Sequence, residues 1–461
     1  MRFISLSLSL ALVTLYASST TRADSNGTTI LNPEVDAAVN AILADWNTPG
    51  GVAIAAVRMD DSGGWQIETK GYGNRQGRRH QNCLSPRISW TTKIGSLIPG
   101  WELMDPVASS ESTITDLMSH RTGLPRHDVA WSLSIFDDVL TSVKRLRHLK
   151  PSTGFRENAQ YNNMIRPFAR YVKEHILDPL GMNSSTYSFA VANATGNLAQ
   201  GFARVDINVT ESPVGPGTTR VLPYLTPSVT EDGNAMSGPG GVLSTAVDVA
   251  RWLQMLLLNG QHPVTNATIV PAAVIQTVAT GVSVWDGNAD TPEISPLVYG
   301  GAQIQSTYRG HVMIEHGGDW LGFHSQITRF PNDNFGIAVL TNDDTFGSAM
   351  KEVVKFRVID AVFGLDPVDW NTRYQTVMAE VEVPPPATPA PANATQPLPT
   401  TALARTYRNL GYGADIELCA VLNAGSDASP ACKTLLQQLN STFPDQLAGV
   451  DLVWVWAWGN G

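Results

Sequence analysis

The chain has no excess of positive charge, few cysteines and no long apolar run. Its 461 residues contain 31 Lys and Arg against 41 Asp and Glu, with no basic stripe, so we expect no nucleic acid partner. The early apolar run, residues 4–16, is too short to span a bilayer, and we expect no membrane span. His120 and His127 have no carboxylate or cysteine cluster near them, so we expect neither a metal nor a cofactor.

Residues 1–23 are predicted to be a secretory signal peptide. Arg2 gives them a positive start, the apolar run follows, and small residues lead up to Ala23. Seven Asn-x-Ser/Thr sequons come after this segment, which favours a secreted, extracellular glycoprotein. The predicted glycosylation sites are Asn26, Asn183, Asn193, Asn208, Asn266, Asn393 and Asn440.

The sequence contains only three cysteines, Cys83, Cys419 and Cys432. Cys419 and Cys432 are close in sequence and are predicted to form a local disulfide in an oxidising compartment. Cys83 would then stay unpaired.

Hydrophobic patterning indicates one large α+β domain over residues 24–375. The apolar fraction of 43% and the twelve tryptophans suffice for a packed core. Strands are predicted near both ends of this domain, at 51–58, 65–72, 308–315, 323–330 and 335–341. We therefore expect a sheet built from both ends of the domain, with a helical insertion between them.

The composition changes beyond this domain. Residues 383–399 are rich in proline and alanine and are predicted to form a semi-rigid linker. Residues 400–461 are predicted to form a small C-terminal module. It ends on an alternating strand pattern at 453–458 with no partner strand after it, so we expect a truncated module.

Two short motifs carry polar chemistry. Tyr161-Asn162-Asn163 places a phenol two residues before a carboxamide, and His316-Gly317-Gly318 ends a predicted strand with bare backbone. Alone, the first is more often a turn with a core aromatic and the second a loop with a surface histidine. Three further runs accompany them, at 114–125, 178–182 and 238–241.

Taken in their order along the chain, these five runs resemble the serine β-lactamase and penicillin-binding-protein-like hydrolases, particularly the secreted fungal β-lactamase/transpeptidase-like group. The resemblance covers residues 32–365. It implies an α/β sandwich with an antiparallel sheet flanked by helices. It also implies hydrolysis of an amide, ester or lactam bond in a small-molecule or peptide-like substrate through an acyl-serine.

By position, the resemblance makes Tyr161 the catalytic proton relay and Asn163 the group that binds the substrate amide. His316 and Gly317 lie on the substrate side, where the motif puts a cation or imidazole near the substrate carboxylate. Gly318 lets the substrate lie against the strand, whose N–H groups help bind the oxyanion.

The nucleophile motif of this family, a serine one helical turn before a lysine, does not occur upstream of Tyr161. The segment where it is expected, 74–87, has four arginines, one leucine and no helical apolar period, so we expect it to be exposed rather than a buried helix. Ser89 and Lys93 are one residue too far apart, and Ser348-Ala349-Met350-Lys351 comes after His316.

We therefore expect an incomplete helical subdomain and a chain that is inactive as written, so that its status as an enzyme is open. Two alternatives remain. One is a catalytically dead relative that binds a ligand in the remaining cleft. The other is that this sequence comes from a mis-spliced model of a gene that encodes an active hydrolase.

Overall fold

The computed structural model describes most of the chain. The described residues are 29–72, 89–127, 139–163, 169–208, 212, 214–222, 224, 240–382, 399–412, 415–421, 429–442 and 452–456. The predicted signal peptide, the segment 74–87 with its expected exposure, and the predicted linker apart from Pro399 lie outside them.

An antiparallel sheet occupies the centre of the main domain. The strands described there are β1 (Val52–Met59), β2 (Trp65–Tyr72), β3 (Gly201–Val205), β4 (Thr218–Leu222), β5 (Ser283–Asp286), β6 (Leu297–Tyr299), β7 (Ile304–Tyr308), β8 (His311–Trp320), β9 (Phe323–Phe330) and β10 (Phe335–Thr341). Eight of them form the sheet, in the order β2-β1-β10-β9-β8-β7-β6-β5, while β3 and β4 pair separately. The two ends of the domain meet where β1 pairs with β10, with Val52 opposite Thr341. The predicted α+β fold is confirmed.

Helices cover both faces of this sheet. Those described in the main domain are α1 (Pro33–Asp45), α2 (Pro106–Glu111), α3 (Ile114–Met118), α4 (Val139–Arg145), α5 (Ala169–Val172), α6 (Phe189–Ala194), α7 (Ala246–Leu257), α8 (Ala272–Ala279), α9 (Gly347–Phe363) and α10 (Trp370–Glu382). On one face, α1 and α9 bury Val39 and Met350 in a core shared with Phe335 of β10. On the other face, α7 packs Leu253 against Ala55 of β1.

Local sequence explains where α1 and α7 begin. The Asn32 side chain accepts the N–H of Val35 at 2.9 Å, and Pro33 fits the first turn because its missing N–H has no partner to lose there. At α7 the Thr245 side chain accepts the N–H of Asp248. Both caps satisfy donors that the helix itself leaves unbonded.

A buried carboxylate holds the turn that leads from α3 towards the candidate site. Thr113 and Asp116 form a capping box, and the Arg156 guanidinium donates to both Asp116 oxygens at 2.8 and 2.7 Å. Burial alone would raise the pKa of Asp116, but the bonds from Arg156 and Thr113 outweigh it and hold that pKa below its usual value.

A second buried ion pair fastens β3 to the segment between β10 and α9. Arg204 Nη2 lies 2.6 Å from Asp343 Oδ2, and both side chains are 0% exposed. The other Asp343 oxygen accepts the N–H groups of Thr345 and Phe346 at 3.0 and 3.1 Å. Both oxygens of the Asp343 carboxylate therefore have partners, which offsets the cost of burying its charge.

The described residues between 400 and 456 contain a second, antiparallel sheet of three strands. Its strands β11 (Thr406–Tyr407), β12 (Ile416–Ala420) and β13 (Leu452–Trp456) pair in that order, with α11 (Thr400–Leu403) and α12 (Pro430–Thr442) beside them. A disulfide joins Cys419 to Cys432. The strand β13 pairs with β12, with Cys419 opposite Val453. Within the described part of the chain, every helix is too short or too polar to cross a membrane.

Candidate active site

Five rings from separate parts of the chain converge, and we call them the ring cluster: His120, Tyr161, Trp285, Tyr299 and His316. The Tyr161 ring centre lies 4.4 Å from that of His120 and 6.2 Å from those of Trp285 and His316. Trp285 of β5 and Tyr299 of β6 stack at 4.9 Å. The structure thus brings the tyrosine of the first motif and the histidine of the second into one place.

The residues after Tyr161 are also buried. Asn162 donates through Nδ2 to the carbonyl oxygens of Leu124 and Gln160, at 3.3 and 3.1 Å. Asn163, two residues after Tyr161, is only 5% exposed. The carboxamide of the Tyr-x-Asn motif is therefore held inside the protein and not in a surface turn.

The alternation of β8 divides the second motif between the two faces of the sheet. Asp319 is bonded to Lys351 of α9 at 2.9 Å, so the odd-numbered residues of this strand face α9. A side chain at Gly317 would approach Lys351 Nζ to 3.3 Å, on that same face. His316 and Gly318 face the opposite way. The missing side chain at Gly317 is therefore explained by packing against α9, and Gly318 lies on the face that carries the ring cluster.

A line of hydrogen bonds runs through the ring cluster. His120 Nε2 lies 3.2 Å from Tyr299 Oη, which lies 3.0 Å from His316 Nε2. His316 Nδ1 lies 2.6 Å from the Gly317 carbonyl oxygen. At the other end, the Asn162 backbone N–H donates to His120 Nδ1 at 3.4 Å. We call these four contacts the His–Tyr–His line.

Burial keeps the titratable groups of the line neutral. Desolvation lowers the pKa of His120 to about 3, with smaller contributions from the neighbouring His316 and Arg126 side chains. Desolvation also lowers the pKa of His316 and raises that of Tyr299. At neutral pH His316 therefore presents an uncharged imidazole.

Two serine–lysine pairs in the described residues lie outside this arrangement. Ser89 sits in a turn, where its N–H and hydroxyl bond to neighbouring threonines, and Lys93 forms an exposed ion pair with Glu111. Ser348 and Lys351 are on α9, behind the sheet, and Lys351 is paired with a carboxylate there. Neither pair supplies a nucleophile and base to the ring cluster, and the segment 74–87 lies outside the described residues.

The family model for Beta-lactamase matches residues 85–357, more than half of the chain. The chain belongs to the Beta-lactamase family. The match spans every member of the ring cluster and ends within α9.

Two curated proteins are similar to this β-lactamase family member along much of their length. Unguisins hydrolase ungD of Aspergillus violaceofuscus is 25% identical over 485 residues, covering 90% of this chain and 81% of the relative. Unguisins hydrolase ungD' of Aspergillus campestris is also 25% identical, covering 64% of this chain and 55% of the relative.

Solved structures show the same fold. The octameric penicillin-binding protein homologue from Pyrococcus abyssi matches with a TM-score of 0.54 at 14% identity, covering 84% of each chain. A class C beta-lactamase matches with a TM-score of 0.50 at 15% identity, covering 72% of this chain and 96% of the other. These likenesses establish the β-lactamase/transpeptidase-like fold.

Three members of the ring cluster have no clear functional signal in the sequence. His120 belongs to the run 114–125, whose pattern indicates a structural turn, and no motif marks Trp285 or Tyr299. Tyr299 ends a strand of three residues, which is too short for a period to show its orientation. The one available signal was the position of His120 inside the run 114–125, the longest of the five family runs.

The predicted glycosylation sites differ in exposure. Asn193, Asn208, Asn266 and Asn440 are exposed. Asn183 is only 9% exposed, so its amide is poorly placed to carry a glycan in the folded protein. Asn26 and Asn393 lie outside the described residues.

Proposed function

We propose that the ring cluster marks the ligand site of this β-lactamase family member, and that the chain as written binds an amide, ester or lactam without forming an acyl-serine. The observation that carries this proposal is the 6.2 Å approach of Tyr161 to His316 in a chain with no Ser-x-x-Lys before Tyr161. Acyl transfer needs a nucleophile that a nearby base deprotonates. Recognition groups without that nucleophile support binding rather than turnover.

Each recognition group has a defined part in this proposal. The Tyr161 phenol contacts the polar atom next to the ligand carbonyl, where the active enzymes of the family need a proton relay. The Asn163 carboxamide binds the ligand amide. Gly318 leaves the backbone of β8 bare, so that an extended ligand can approach it closely.

The names of the two Aspergillus relatives suggest a first ligand to test. Both are named for the hydrolysis of unguisins, and the first aligns with 90% of this chain. Unguisins are therefore the first ligands to test, with a penicillin as the lactam of the same reactive class.

Titration calorimetry tests the binding proposal. We expect saturable binding of an unguisin or a penicillin to the purified protein, weakened at least about tenfold by Tyr161→Ala, since one lost contact of about 1.4 kcal/mol has that effect. Tyr407→Ala is the matched control, because Tyr407 is 39% exposed in the C-terminal module. Failure of both ligand classes to bind, or equal binding by Tyr161→Ala, would remove the proposal.

A second candidate function is hydrolysis by a longer product of the same gene, and the relatives' hydrolase names favour it. Sequencing of transcripts across the codons for residues 74–87 decides between the two. An in-frame exon with Ser-x-x-Lys would establish the hydrolase, and its absence from every transcript would leave the binding protein.

We also propose that the protein is secreted and N-glycosylated. The signal-like residues 1–23, the four exposed sequon asparagines and the Cys419–Cys432 disulfide support this proposal, since disulfides persist in oxidising compartments.

A further inference from the structure

The direction of each hydrogen bond in the His–Tyr–His line follows from its first donor. A backbone N–H can only donate, so the Asn162 N–H requires His120 Nδ1 to be an acceptor. An imidazolium has no acceptor nitrogen, and His120 is therefore neutral with its proton on Nε2. That Nε2–H donates to Tyr299 Oη across 3.2 Å.

The same reasoning continues from Tyr299 to His316. Tyr299 is 1% exposed, and its oxygen already accepts from His120, so its own proton needs an acceptor within the protein. His316 Nε2 lies at hydrogen-bond distance, 3.0 Å, and accepts that proton. The His316 proton is then on Nδ1, where it donates to the Gly317 carbonyl at 2.6 Å. Each of the four contacts has one donor and one acceptor.

We propose that Tyr299 is a positioning residue that locks His316 as the neutral Nδ1–H tautomer, so that the site lacks a carboxylate-binding charge on β8 and selects ligands that are uncharged at that position. The tautomer lock stands on the geometry alone. The ligand selectivity rests on the proposed function of the ring cluster as a ligand site.

The lock has a direct consequence for recognition. Both nitrogens of His316 are engaged inside the protein, so a ligand receives from this residue neither an N–H donor nor a positive charge. A carboxylate brought to this part of β8 would lose its hydration without gaining an ion pair, which is unfavourable. An uncharged amide or ester does not suffer this loss.

Nuclear magnetic resonance of protein labelled with nitrogen-15 histidine tests the lock, because the ring nitrogens report which of them carries the proton. Signals are assigned by their loss in His120→Asn and His316→Asn. We expect the proton on Nε2 of His120 and on Nδ1 of His316. Tyr299→Phe keeps the ring stacked on Trp285 but removes the hydroxyl, and it should release His316 into a mixture of tautomers.

Tyr308→Phe is the matched control for this measurement. Tyr308 is also fully buried, and its hydroxyl donates to Asp360 at 2.8 Å, on the α9 side of the sheet. It should change the stability of the protein and leave the His316 signals in place. His316 protonated on Nε2 or on both nitrogens in the wild type, or unchanged in Tyr299→Phe, would overturn the lock. Should Tyr299→Phe not fold, the wild-type protonation pattern decides alone.

Binding of benzylpenicillin and of its methyl ester tests the selectivity. The wild type should bind the ester at least as tightly as the acid, whereas His316→Lys should shift the ratio about tenfold towards the acid, the factor for one hydrogen bond between charged groups. The selectivity proposal would be overturned if the wild type bound the acid more tightly than the ester and His316→Asn lost this preference. Failure of both ligands to bind would contradict the proposed function, while the tautomer measurement would still decide the lock.

Discussion

Acidification below about pH 6.5 should destabilise this protein through His120. Burial lowers the pKa of His120 to about 3, whereas an unfolded histidine has its ordinary value near 6.5. Below about pH 6.5 the unfolded chain therefore binds a proton that the folded protein excludes. The free energy of unfolding decreases as the pH is lowered from about 6.5 to about 3, and above about pH 6.5 this histidine adds no pH dependence. At about 1.4 kcal/mol per pH unit, His120 alone should cost about 2 kcal/mol between pH 7 and pH 5.

The variant His120→Asn isolates this contribution. Asparagine tolerates the left-handed backbone that His120 adopts at φ +54, and it does not titrate. Urea unfolding followed by tryptophan fluorescence at pH 7 and pH 5 should show the difference between wild type and variant shrink by about 2 kcal/mol. The exposed His148→Asn should behave as the wild type does.

A pH response that is the same in wild type and His120→Asn would refute this reasoning. It would mean that His120 is accessible to protons in the folded protein, and the His–Tyr–His line would lose the neutral histidine from which its hydrogen bonds are directed.

Buried charge, backbone strain and glycosylation each provide a further test. Arg204→Met should lower the free energy of unfolding by about 3–5 kcal/mol, because it leaves the buried Asp343 carboxylate without its charged partner. Arg357→Met breaks an ion pair to Glu34, which is 72% exposed, and should lower it by at most about 1 kcal/mol. Equal losses for the two variants in urea titrations would contradict this prediction. Gly123→Ala should cost about 1–3 kcal/mol more than Gly63→Ala, since both have positive φ but only the first would place Cβ 2.6 Å from a carbonyl oxygen. Endoglycosidase should increase the gel mobility of the secreted protein, because it removes the N-linked glycans. The mobility shift should be smaller by one glycan in Asn193→Gln. A mobility that endoglycosidase leaves unchanged would count against glycosylation.

The sequence predicts the strands of the sheet that have strong local signals. The predicted strand 308–315 is wrong in its bounds, because a turn at Arg309 and Gly310 separates β7 from β8, and the short strands β5 and β6 were not predicted. Residues 335–341 are a nearly continuous apolar run and form β10 with the predicted bounds, and the predicted strand 323–330 forms β9 with the same bounds. The cap at Asn32 likewise predicts the start of α1. In these elements the local pattern and the tertiary packing favour the same structure.

The site is less accessible to sequence reasoning because its geometry is long-range. The order of motifs identifies Tyr161 and His316, but their meeting depends on the fold. Tyr299 joins His120 across 179 residues, and no local pattern indicates that contact. The neutrality of His316 also depends on partners that only the folded chain supplies, so the motif alone suggests a charge that the structure does not provide.

The absence of acyl-serine chemistry in the chain as written is tested most directly by covalent labelling. Purified protein is incubated with a fluorescent penicillin and with a β-lactone probe, and labelled peptides are mapped by mass spectrometry. The missing Ser-x-x-Lys predicts no stoichiometric adduct with either probe. Stoichiometric labelling of any serine would contradict the account, and labelling of Ser348 would show that the serine–lysine pair on α9 is the nucleophile after all.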